Sequence, residues 1–568
     1  MMIKGKGVVE GVALSKVLNL IEDFETPLSN YVQQSSSEEI AKFKKAVEIA
    51  SKQIEALISD AEKIGNVTQI EVMTAHLLMV TDVAIEESVI NSLEMGSSAP
   101  SAVTAATDEM AALLASLDDE YLKERSKDVL DIGKRLLRIL LKMKPLDLES
   151  EQHVLCGDDI EPSTIANLNR EYTMGIVLGQ GSTTSHAVII AKTLGIPTIV
   201  GLGKSISALN NTQSVYLDGS TGEIVVNPDA EDVQQFEAKK QAWREKNKIY
   251  AAIKHNLGMT LDGKHIPLAI NVGNPKDVEG LSEFGGEGVG LYRTEFVFMG
   301  RTHAPNEEEQ FNAYKAVVSA CGDKLCVIRT LDIGGDKPAS YLEIGDEANP
   351  FLGWRAIRIS LDRVELFKTQ VRAILRASHF GKAAIMLPMI ISLEEVRSAK
   401  KYINEVMEDL ASEGIPFDQE IEIGIMIETP SAVLLSPLLA KNVDFFSVGT
   451  NDLTQYTLAV DRGNPKISHL YDTCHPAVIR ELWMISNAAK EANIWIGMCG
   501  EMAGDLLTLP LLVAMGFDEL SMSAPSVPKV KDFLSRLSVD QRMLDDVLKL
   551  ETAHEIRELL THYLKHKA

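Results

Sequence analysis

Apolar residues recur with a helical period through residues 35–144, in contrast to the segments on either side. On the first helix of this stretch, one face collects the apolar positions Ile40, Phe43, Val47, Ala50, Ile54, Leu57, Ile58 and Ala61. Ser36 and Glu39 have the spacing of a capping box at the start of that helix. A further amphipathic run covers 121–140. Residues 30–142 are therefore predicted to be a four-helix bundle of α-hairpins.

Glycine-punctuated apolar runs of strand length flank this bundle on both sides. The runs VVEGVAL and KVLNLI begin within residues 3–20, and the runs VLCGDDIEP, GIVLGQG and IPTIVG follow the bundle. The segment VYLDGSTGEIVVNP has the form of a β-hairpin with a DGSTG turn. We therefore expect one α/β domain, made of 1–29 and 143–228, into which the bundle is inserted. The charged segment 229–255 is predicted to be a linker helix.

About eight apolar runs separated by helical stretches occupy residues 256–568. In chain order they are IPLAINV, GVGLYRTEF, CVIRTLDIGG, AAIMLPM, IGIMIETP, FFSVGTND, WIGMCGE and ELSMSAP. This alternation is the signature of a (β/α)8 TIM barrel. The fold class is therefore predicted to be multidomain α/β, with a C-terminal barrel.

Several of these runs end in a polar residue that could take part in chemistry. These residues are Arg293, Arg329, Glu428, Asn451 with Asp452, and Cys499. Because the C-terminal ends of barrel strands meet at one mouth, we expect these side chains to lie together. A charge at a strand end can mark only the return of the chain to solvent. Two acids and two arginines at successive strand ends favour a binding site.

The chemistry of this set suits a small substrate that carries both a phosphate and a carboxylate. Glu428 and Asp452 are hard oxygen ligands suited to Mg²⁺. Planar guanidinium groups for the oxyanions are offered by Arg293, Arg329 and Arg462. Asn451 adds an amide donor. Cys499 could deliver a proton to carbon as an acid or be a buried apolar thiol, and the sequence leaves both open.

His186 is the second candidate for chemistry and lies in the segment GSTTSHAVIIAKTLGIPTIVG, residues 181–201. Small hydroxylated residues precede it, and a short helix is predicted over 187–194. At a helix N-terminus, free N–H groups and the helix dipole favour an anion, so His186 could carry a phosphoryl group. A hydrogen-bonded structural histidine is the alternative. Because His186 and the barrel fall in different predicted domains, the linker 229–255 is the candidate hinge.

Composition and charge narrow the class of protein. The 568 residues carry a formal net charge of −25, which disfavours nucleic acid and suits a basic protein partner. Five cysteines without a CxxC pair fit reduced thiols better than a disulfide framework. The sequence contains neither a signal-peptide h-region at its start nor a run of 18 apolar residues. We therefore expect a soluble cytoplasmic protein with no membrane insertion.

The segment TSHAVIIAKTLGIPTIVG resembles the phosphohistidine motif of the phosphoenolpyruvate-utilising enzymes. Seven further segments resemble the barrel motifs of that family: GVGLYRTEFVFM, IRTLDIGGDK, NPFLGWRAIRI, GIMIETPSAV, FFSVGTNDLTQYTLAVDR, HPAV and GMCGEMAGD. Within the family, the chain is most similar to the enzyme I group of bacterial phosphotransferase systems. Its length agrees, it has no GxxxxGK[ST] motif or preceding nucleotide-binding domain, and AHLLMVTD and DDEYLKERSKDVLDIGKRLL look like that group's carrier-binding bundle.

The resemblance implies a reaction and a role for each candidate residue. Phosphoenolpyruvate with Mg²⁺ would phosphorylate His186 in a swivelling α/β domain, release pyruvate, and pass the phosphoryl group to a histidine of the carrier HPr, which begins sugar uptake. The implied contacts of phosphoenolpyruvate are Arg293, Arg329, Arg355, Asn451, Asp452 and Arg462. Glu428 and Asp452 are the implied metal ligands, and Cys499 the implied proton donor. The bundle would dock HPr, and the barrel would form a homodimer.

The loop before His186 departs from the family pattern D-x-G-G-x-T-S-H. Ser182 replaces the second glycine, Gly179 stands at the position of the acid, and Lys192 stands where arginine is common. This altered loop leaves room for a signalling paralogue whose phosphorylation state is its output. Two further alternatives are a nucleotide-using dikinase, which the absence of an ATP-binding domain disfavours, and a barrel lyase acting on phosphoenolpyruvate or oxaloacetate. The lyase would leave the histidine domain and the bundle without a role.

Overall fold

The structure of the protein is a computed structural model. It describes residues 2–20, 24–64, 67–116, 120–143, 148, 150–160, 164, 168–169, 171–180, 188, 191, 195–209, 213–299, 301, 303–335, 337, 339–342, 344–345, 347–462, 464 and 466–567. The predicted nucleophile His186 lies outside the described residues, as do Ser182 and Lys192. Contacts divide the chain into two units, Met1–Glu245 and Lys246–Ala568.

A mixed β-sheet forms the centre of the first unit. Its strands are β1 (Met2–Lys4), β2 (Lys6–Val9), β3 (Val12–Asn19), β4 (His153–Gly157), β5 (Thr173–Leu178), β6 (Thr198–Val200), β7 (Ser214–Asp218) and β8 (Glu223–Val226). They lie in the order β1-β8-β7-β3-β4-β5-β6-β2. Strands β3 to β6 are parallel, and β7 and β8 form the predicted antiparallel hairpin. Buried side chains on both faces explain the continuous apolar runs of the parallel strands.

Glycines allow strand β2 to pack against the β7–β8 turn. Strands β1 and β2 are neighbours in sequence but lie at opposite ends of the strand order. A Cβ atom on Gly7 would clash with the carbonyl oxygen of Gly219, and one on Gly219 would clash with the carbonyl oxygen of Val9. Only hydrogen fits at both positions, so backbone can approach backbone there.

The helical insertion follows β3, and its helices are α1 (Glu25–Ser29), α2 (Ser36–Ile64), α3 (Val67–Val80), α4 (Val83–Glu94), α5 (Ala99–Ser116) and α6 (Glu120–Leu140). The sequence pattern predicts four long helices, whereas the described residues form five between 36 and 140. Asp82 is the reason for the extra break. Its carboxylate accepts hydrogen bonds from the N–H groups of Ala84 at 2.8 Å and Ile85 at 3.3 Å, which begins a new helix.

The start of α2 also differs from the predicted capping box of Ser36 and Glu39. Ser35 and Glu38 make the local contact instead, with the Ser35 hydroxyl donating to Glu38 at 2.6 Å and the Ser35 N–H donating to the same carboxylate at 3.1 Å. The capping-box prediction was therefore one residue out of register. As a result Glu39 is free to point into the bundle, where it is buried.

Glu39 joins segments that are distant in the sequence. Its carboxylate accepts hydrogen bonds from the N–H groups of Ala99 at 2.7 Å and Gln34 at 3.0 Å and from the Tyr31 hydroxyl at 2.8 Å. Lys42 pairs with it at 2.8 Å. Burial alone would raise the pKa of Glu39, but these bonds lower it to about 2. The charged carboxylate is therefore a tie between α2 and α5.

The predicted linker helix is observed as α7 (Ala230–Ile253). Its first turns pack on the sheet of the first unit, where the rings of Phe236 and Tyr216 meet edge to face at 5.5 Å. Lys239 pairs with Asp218 at 2.7 Å. The helix is continuous past Glu245, the last residue of the first unit.

A closed parallel barrel forms the second unit. Its strands are β9 (Leu268–Val272), β10 (Val289–Arg293), β11 (Cys326–Arg329), β12 (Ala383–Leu387), β13 (Glu422–Ile427), β14 (Phe445–Val448), β15 (Trp495–Met498) and β16 (Glu519–Met522). Each predicted apolar run coincides with one of them, and only β13 begins one residue before its run, so the predicted barrel is confirmed.

The helices of the second unit surround this barrel. They are α8 (Glu279–Glu283), α9 (Glu295–Phe298), α10 (Glu307–Cys321), α11 (Ile357–Asp362), α12 (Val364–Ser378), α13 (Leu393–Glu413), α14 (Pro430–Leu434), α15 (Ser436–Leu439), α16 (Thr450–Leu458), α17 (Pro476–Ala492), α18 (Leu509–Met515), α19 (Val527–Leu534), α20 (Gln541–Val547) and α21 (Ala553–Lys567). The main apolar core lies between strands and helices, and a smaller apolar layer fills the barrel interior. Across the described residues, no helix has the length and apolarity needed to cross a membrane.

Replacing Glu39 by glutamine should loosen the bundle. Glutamine cannot supply a second acceptor oxygen for the buried donors, so we expect a loss of about 1–3 kcal/mol in local stability. Hydrogen exchange of the α5 amides in the full chain measures this. Glu48→Gln is the matched control on the same helix, because the exposed carboxylate of Glu48 pairs with Lys52 at the surface. Equal exchange rates in α5 for both variants would contradict the role given to Glu39.

Candidate active site

The C-terminal ends of the barrel strands bring the residues predicted from the sequence to one mouth. Strand ends and the positions directly after them carry Arg293, Arg329, Glu428 and Cys499. The first turn of α16 and the loop after it carry Asn451, Asp452 and Arg462. Arg355 precedes α11 and reaches the same cluster through its ion pairs. Of the predicted site residues, only His186 is outside the described part of the chain.

Buried Asp332 connects the cations of this mouth. Its carboxylate lies 3.0 Å from Nη2 of Arg329, 2.9 Å from Nη2 of Arg355 and 2.8 Å from Nζ of Lys337. Burial favours the neutral acid, but the three cations hold the pKa of Asp332 well below its ordinary value. Asp332 is therefore a charged bridge that fixes the two guanidinium groups.

Glu295 is a second buried acid that supports the same cations. It pairs with Arg329 and lies 2.8 Å from Nζ of Lys337. Burial would raise the pKa of Glu295, but Arg329 and Lys337 lower it. Sequence reasoning missed Glu295, Asp332 and Lys337. Their position in the sequence could have identified them, because all three come shortly after strands that end in the candidate residues Arg293 and Arg329.

Arg355 lies almost wholly beneath the surface of the mouth, with 1% of its surface exposed. Its Nη1 donates to the Tyr456 hydroxyl at 3.1 Å. Burial alone would lower the pKa of Arg355, but the neighbouring carboxylates raise it above its ordinary value. The following residue, Ala356, has φ 53°, a left-handed conformation that costs energy for a residue with a side chain. Gly334 makes room, because a Cβ there would lie 2.5 Å from Cβ of Arg355.

Glu428 occupies a buried position against strained backbone. Its Oε1 accepts a hydrogen bond at 2.6 Å from the N–H of Met389, which has φ 57°. A Cβ atom on Gly449 would lie 3.1 Å from Oε2 of Glu428. Burial, and then the negative charges of Asp452 and Asp332, raise the pKa of Glu428 to about 8. The carboxyl group is therefore poorly compensated by the protein alone.

Asp452 completes a pair of carboxylates that suits a divalent cation. Among the described residues, its buried Oδ1 has no hydrogen-bond partner. Its ion pairs with Arg462 and Arg355 are both long, at 3.9 Å. A hard cation between the two acids would offset the repulsion that raises the pKa of Glu428. The described residues contain no group of three or more His, Cys, Asp or Glu placed to hold a metal, so these two carboxylates would need water or substrate to complete the shell.

Asn451 and Arg462 form the outer side of the mouth. The Oδ1 atom of Asn451 accepts a hydrogen bond from the N–H of Glu501 at 3.2 Å, and its backbone carbonyl accepts one from the Tyr471 hydroxyl at 3.2 Å. The backbone of Arg462 is held through the side chain of Gln455 at 3.2 Å. The side chain of Arg462 is 37% exposed and is therefore accessible to an anion.

Cys499 joins the mouth to the apolar interior of the barrel. Its Sγ donates to the carbonyl of Val448 at 3.5 Å, and the thiol packs in the interior layer with Met426 and Phe445. Burial raises the pKa of Cys499 to about 11, while a hydrogen bond from Ser447 acts in the opposite direction. The thiol is therefore protonated at neutral pH, as an acid would need to be.

The loop that leads to His186 is described only at its start. The N–H of Gly179 donates to the carbonyl of Gly157 at 2.9 Å, and that of Gln180 to the carbonyl of Asp158 at 2.8 Å. A Cβ on Gly179 would lie 2.6 Å from Oδ1 of Asp158. The space beside Gly179, where the family pattern has an acid, is therefore occupied by the Asp158 carboxylate from the end of β4.

Three family models of PEP-utilising enzymes match successive parts of the chain. The model of the PEP-utilising enzyme PEP-binding domain matches residues 247–539. The PEP-utilising enzyme N-terminal model matches 4–125, and the PEP-utilising enzyme mobile-domain model matches 149–222.

Curated relatives match over nearly their whole length. A phosphoenolpyruvate-protein phosphotransferase from Haemophilus influenzae is 42% identical, with 99% of each chain covered. One from Staphylococcus carnosus is 38% identical, again with 99% of each chain covered. One from Bacillus subtilis is 38% identical, with 98% of each chain covered.

Replacing Glu428 by glutamine should change how stability depends on pH when a chelator is present. The pKa of this carboxyl is raised on folding, so the native state binds its proton more tightly and loses stability as pH rises from the unfolded value of about 4.3 to about 8. Glutamine has no proton to lose. The melting temperature of Glu428→Gln relative to the wild type should therefore rise between pH 5 and pH 9, as measured by calorimetry.

The exposed Glu420→Gln is the control for this comparison. This substitution should leave the pH dependence of the melting temperature the same as in the wild type. Parallel curves for Glu428→Gln and the wild type would mean that the Glu428 carboxyl is not raised on folding.

Proposed function

The chain belongs to the phosphoenolpyruvate–protein phosphotransferases, and we propose that it moves the phosphoryl group of phosphoenolpyruvate first to His186 and then to a histidine of the carrier HPr. The observation that carries this proposal is the convergence of two acids, several arginines and a protonated thiol at one barrel mouth. Under this proposal, the transfer from phosphoenolpyruvate through His186 to HPr is the first step of sugar uptake by a phosphotransferase system.

Substrate binding follows from the charges of the mouth. The guanidinium groups of Arg293, Arg329 and Arg462 would take the phosphate and carboxylate oxygens of phosphoenolpyruvate. Asn451 would add an amide donor. Arg355 is also proposed to contact the substrate, and Asp332 holds its guanidinium in place. The Asp332 bridge keeps Arg329 and Arg355 oriented before the substrate arrives, which lowers the cost of binding.

Glu428 and Asp452 are proposed to hold Mg²⁺ together with oxygens of the substrate. Bound there, the ion would supply positive charge to the phosphoryl oxygens. The raised pKa of Glu428 and the unbonded Oδ1 of Asp452 support this assignment.

Phosphoryl transfer is proposed to begin with attack by an unprotonated ring nitrogen of His186 on phosphorus. The new N–P bond forms as the bond between phosphorus and the enol oxygen breaks, and its electron pair leaves with the enolate of pyruvate. The arginines stabilise the charge on the phosphoryl oxygens in the loose transition state. His186 lies in the segment that matches the mobile domain, and α7 is the candidate hinge for its movement.

Proton transfer to carbon would complete pyruvate. Cys499 is proposed to give its thiol proton to the methylene carbon of the enolate, and the thiolate would then recover a proton from solvent. Its pKa of about 11 keeps the donor loaded at neutral pH. The nearby charges of Arg329 and Arg293 would stabilise the transient thiolate.

The bundle is proposed to dock HPr, and the barrel to form a homodimer. On the bundle, Leu78 and Val83 are exposed at the α3–α4 junction, and the acidic chain would attract a basic carrier. On the barrel, apolar side chains are exposed on α14, α15 and α17, namely Leu434, Leu438, Trp483 and Met484. Exposed apolar side chains on neighbouring helices favour burial against a second subunit.

Incubation with phosphoenolpyruvate and Mg²⁺ should add one acid-labile phosphoryl group to the wild type and none to His186→Ala. The result follows because the variant lacks the accepting nitrogen, and intact mass measures it. A chelator should abolish the phosphorylation of the wild type. Transfer to HPr is then followed by the mass of the carrier. A wild type that stays unmodified with Mg²⁺ present would reject the donor half-reaction and favour a signalling paralogue.

Replacing Cys499 by alanine should slow pyruvate formation while leaving substrate binding nearly intact. Loss of a positioned acid typically costs about a hundredfold or more in turnover, so kcat should fall by about that factor with little change in KM. Steady-state pyruvate release with phosphoenolpyruvate and HPr measures both constants. Cys321→Ala is the control, because Cys321 lies at the end of α10 in the outer core. Equal turnover in both variants would remove Cys499 from the mechanism.

A further inference from the structure

The C-terminal helix α21 contacts the loop that follows α16. Arg557 binds Asp472 in a bidentate way, with Nε 3.1 Å from Oδ2 and Nη2 2.5 Å from Oδ1. Ile556 and Leu560 are fully buried on the same helix and anchor it in the main core. The guanidinium group is therefore presented to the loop by a fixed support.

Asp472 sets the conformation of this loop. Its Oδ1 accepts a hydrogen bond from the N–H of Cys474 at 2.8 Å, and its backbone carbonyl accepts one from the N–H of His475 at 3.0 Å. Burial would raise the pKa of Asp472, but the bonds from Arg557 and Cys474 lower it. The carboxylate is charged at neutral pH and holds both the turn and the C-terminal helix.

The residue before Asp472 reaches the mouth of the barrel. The hydroxyl of Tyr471 donates to the backbone carbonyl of Asn451 at 3.2 Å. Asn451 is adjacent to Asp452 in the first turn of α16, so a shift of this carbonyl would move both side chains. The contact from Tyr471 and the Glu501 N–H on the side-chain Oδ1 hold Asn451 from two sides.

We propose that Arg557 is a positioning residue for substrate binding, acting through Asp472 and Tyr471 on Asn451. The contact path runs from the C-terminal helix to the loop and from the loop to the first turn of α16. Arg557 lies beyond residue 539, where the match to the PEP-binding domain ends. The role in substrate binding rests on the proposed function, in which Asn451 contacts phosphoenolpyruvate.

The Arg557–Asp472 pair is partly exposed, so a positioning role can be distinguished from a role in global stability. The side chains of Arg557 and Asp472 are 42% and 26% exposed, and pairs of this kind contribute little to global stability. Their bidentate geometry nevertheless restricts the loop. Loss of the pair should therefore appear in substrate affinity and hardly at all in thermal unfolding.

The first test compares Arg557→Gln with the wild type in steady-state pyruvate release with HPr and Mg²⁺. Couplings of this indirect kind amount to a few-fold to tenfold, so we expect KM for phosphoenolpyruvate to rise about fivefold with kcat and Tm close to the wild type. Arg557→Lys should recover part of the loss, because lysine keeps the charge without the bidentate fork.

Glu558→Gln is the matched control. It removes an exposed contact on the same helix, the pair of Glu558 with His554 at 3.2 Å. Neither residue of that pair is in the proposed path, so KM should stay at the wild-type value. A similar rise in KM for this control would assign the effect to the helix surface in general and overturn the role of Arg557.

Tyr471→Phe tests the path without disturbing the helix. It deletes only the hydroxyl that bonds Asn451, and we expect a similar rise in KM. Because both changes act on one path, the double variant Tyr471→Phe/Arg557→Gln should be little worse than either single variant. Independent effects that multiply in the double variant would overturn the path.

The outcomes also separate this inference from the proposed function. A wild type that phosphorylates HPr, together with an unchanged KM in Arg557→Gln, would overturn the inference and leave the function standing. A wild type that forms neither phosphoprotein nor pyruvate would overturn the function itself. If Arg557→Gln unfolds, Tyr471→Phe decides, and an unchanged KM in that variant overturns the inference.

Discussion

The carboxylate of Asp332 is the interaction on which the barrel mouth depends. It is fully buried and binds Arg329, Arg355 and Lys337. Charges in such a site are costly unless they are paired, and removing one partner leaves the others buried without compensation. The carboxylate of Asp332 therefore fixes the positions of the Arg329 and Arg355 guanidinium groups.

The remaining charges of the mouth are less completely balanced by the protein. Glu428 faces Asp452 in a buried position, and its pKa is raised to about 8. Cys499 lies at the end of the apolar barrel interior, and burial raises its pKa to about 11. One cause, the low polarity beneath the mouth, thus favours the neutral thiol and leaves the carboxylate pair open to a cation.

Backbone strain is found beside the same residues. Ala356 and Met389 adopt positive φ angles of 53° and 57°. Ala356 follows Arg355, and the N–H of Met389 bonds Glu428. Strained conformations persist where the surrounding structure over-determines them, and here they aim a side chain and a backbone donor into the mouth.

The sequence by itself determined the elements of this protein and the neighbourhood of its site. Continuous apolar runs separated by helical stretches located the barrel strands, and strand-end positions located Arg293, Arg329, Glu428 and Cys499, because barrel topology brings those ends together. The same patterns gave the inserted bundle but missed the break at Asp82.

Only the tertiary structure decided which charged groups are paired with which partners. Glu39 reads as a helix cap from its spacing but bonds the N–H of Ala99, 60 residues away. Asp332 reads as one acid among several but bridges three cations, and Arg557 meets Asp472 across 85 residues. Such partners cannot be read from local periodicity, because the strength of a buried contact depends on how folding removes water from groups that are distant in the chain.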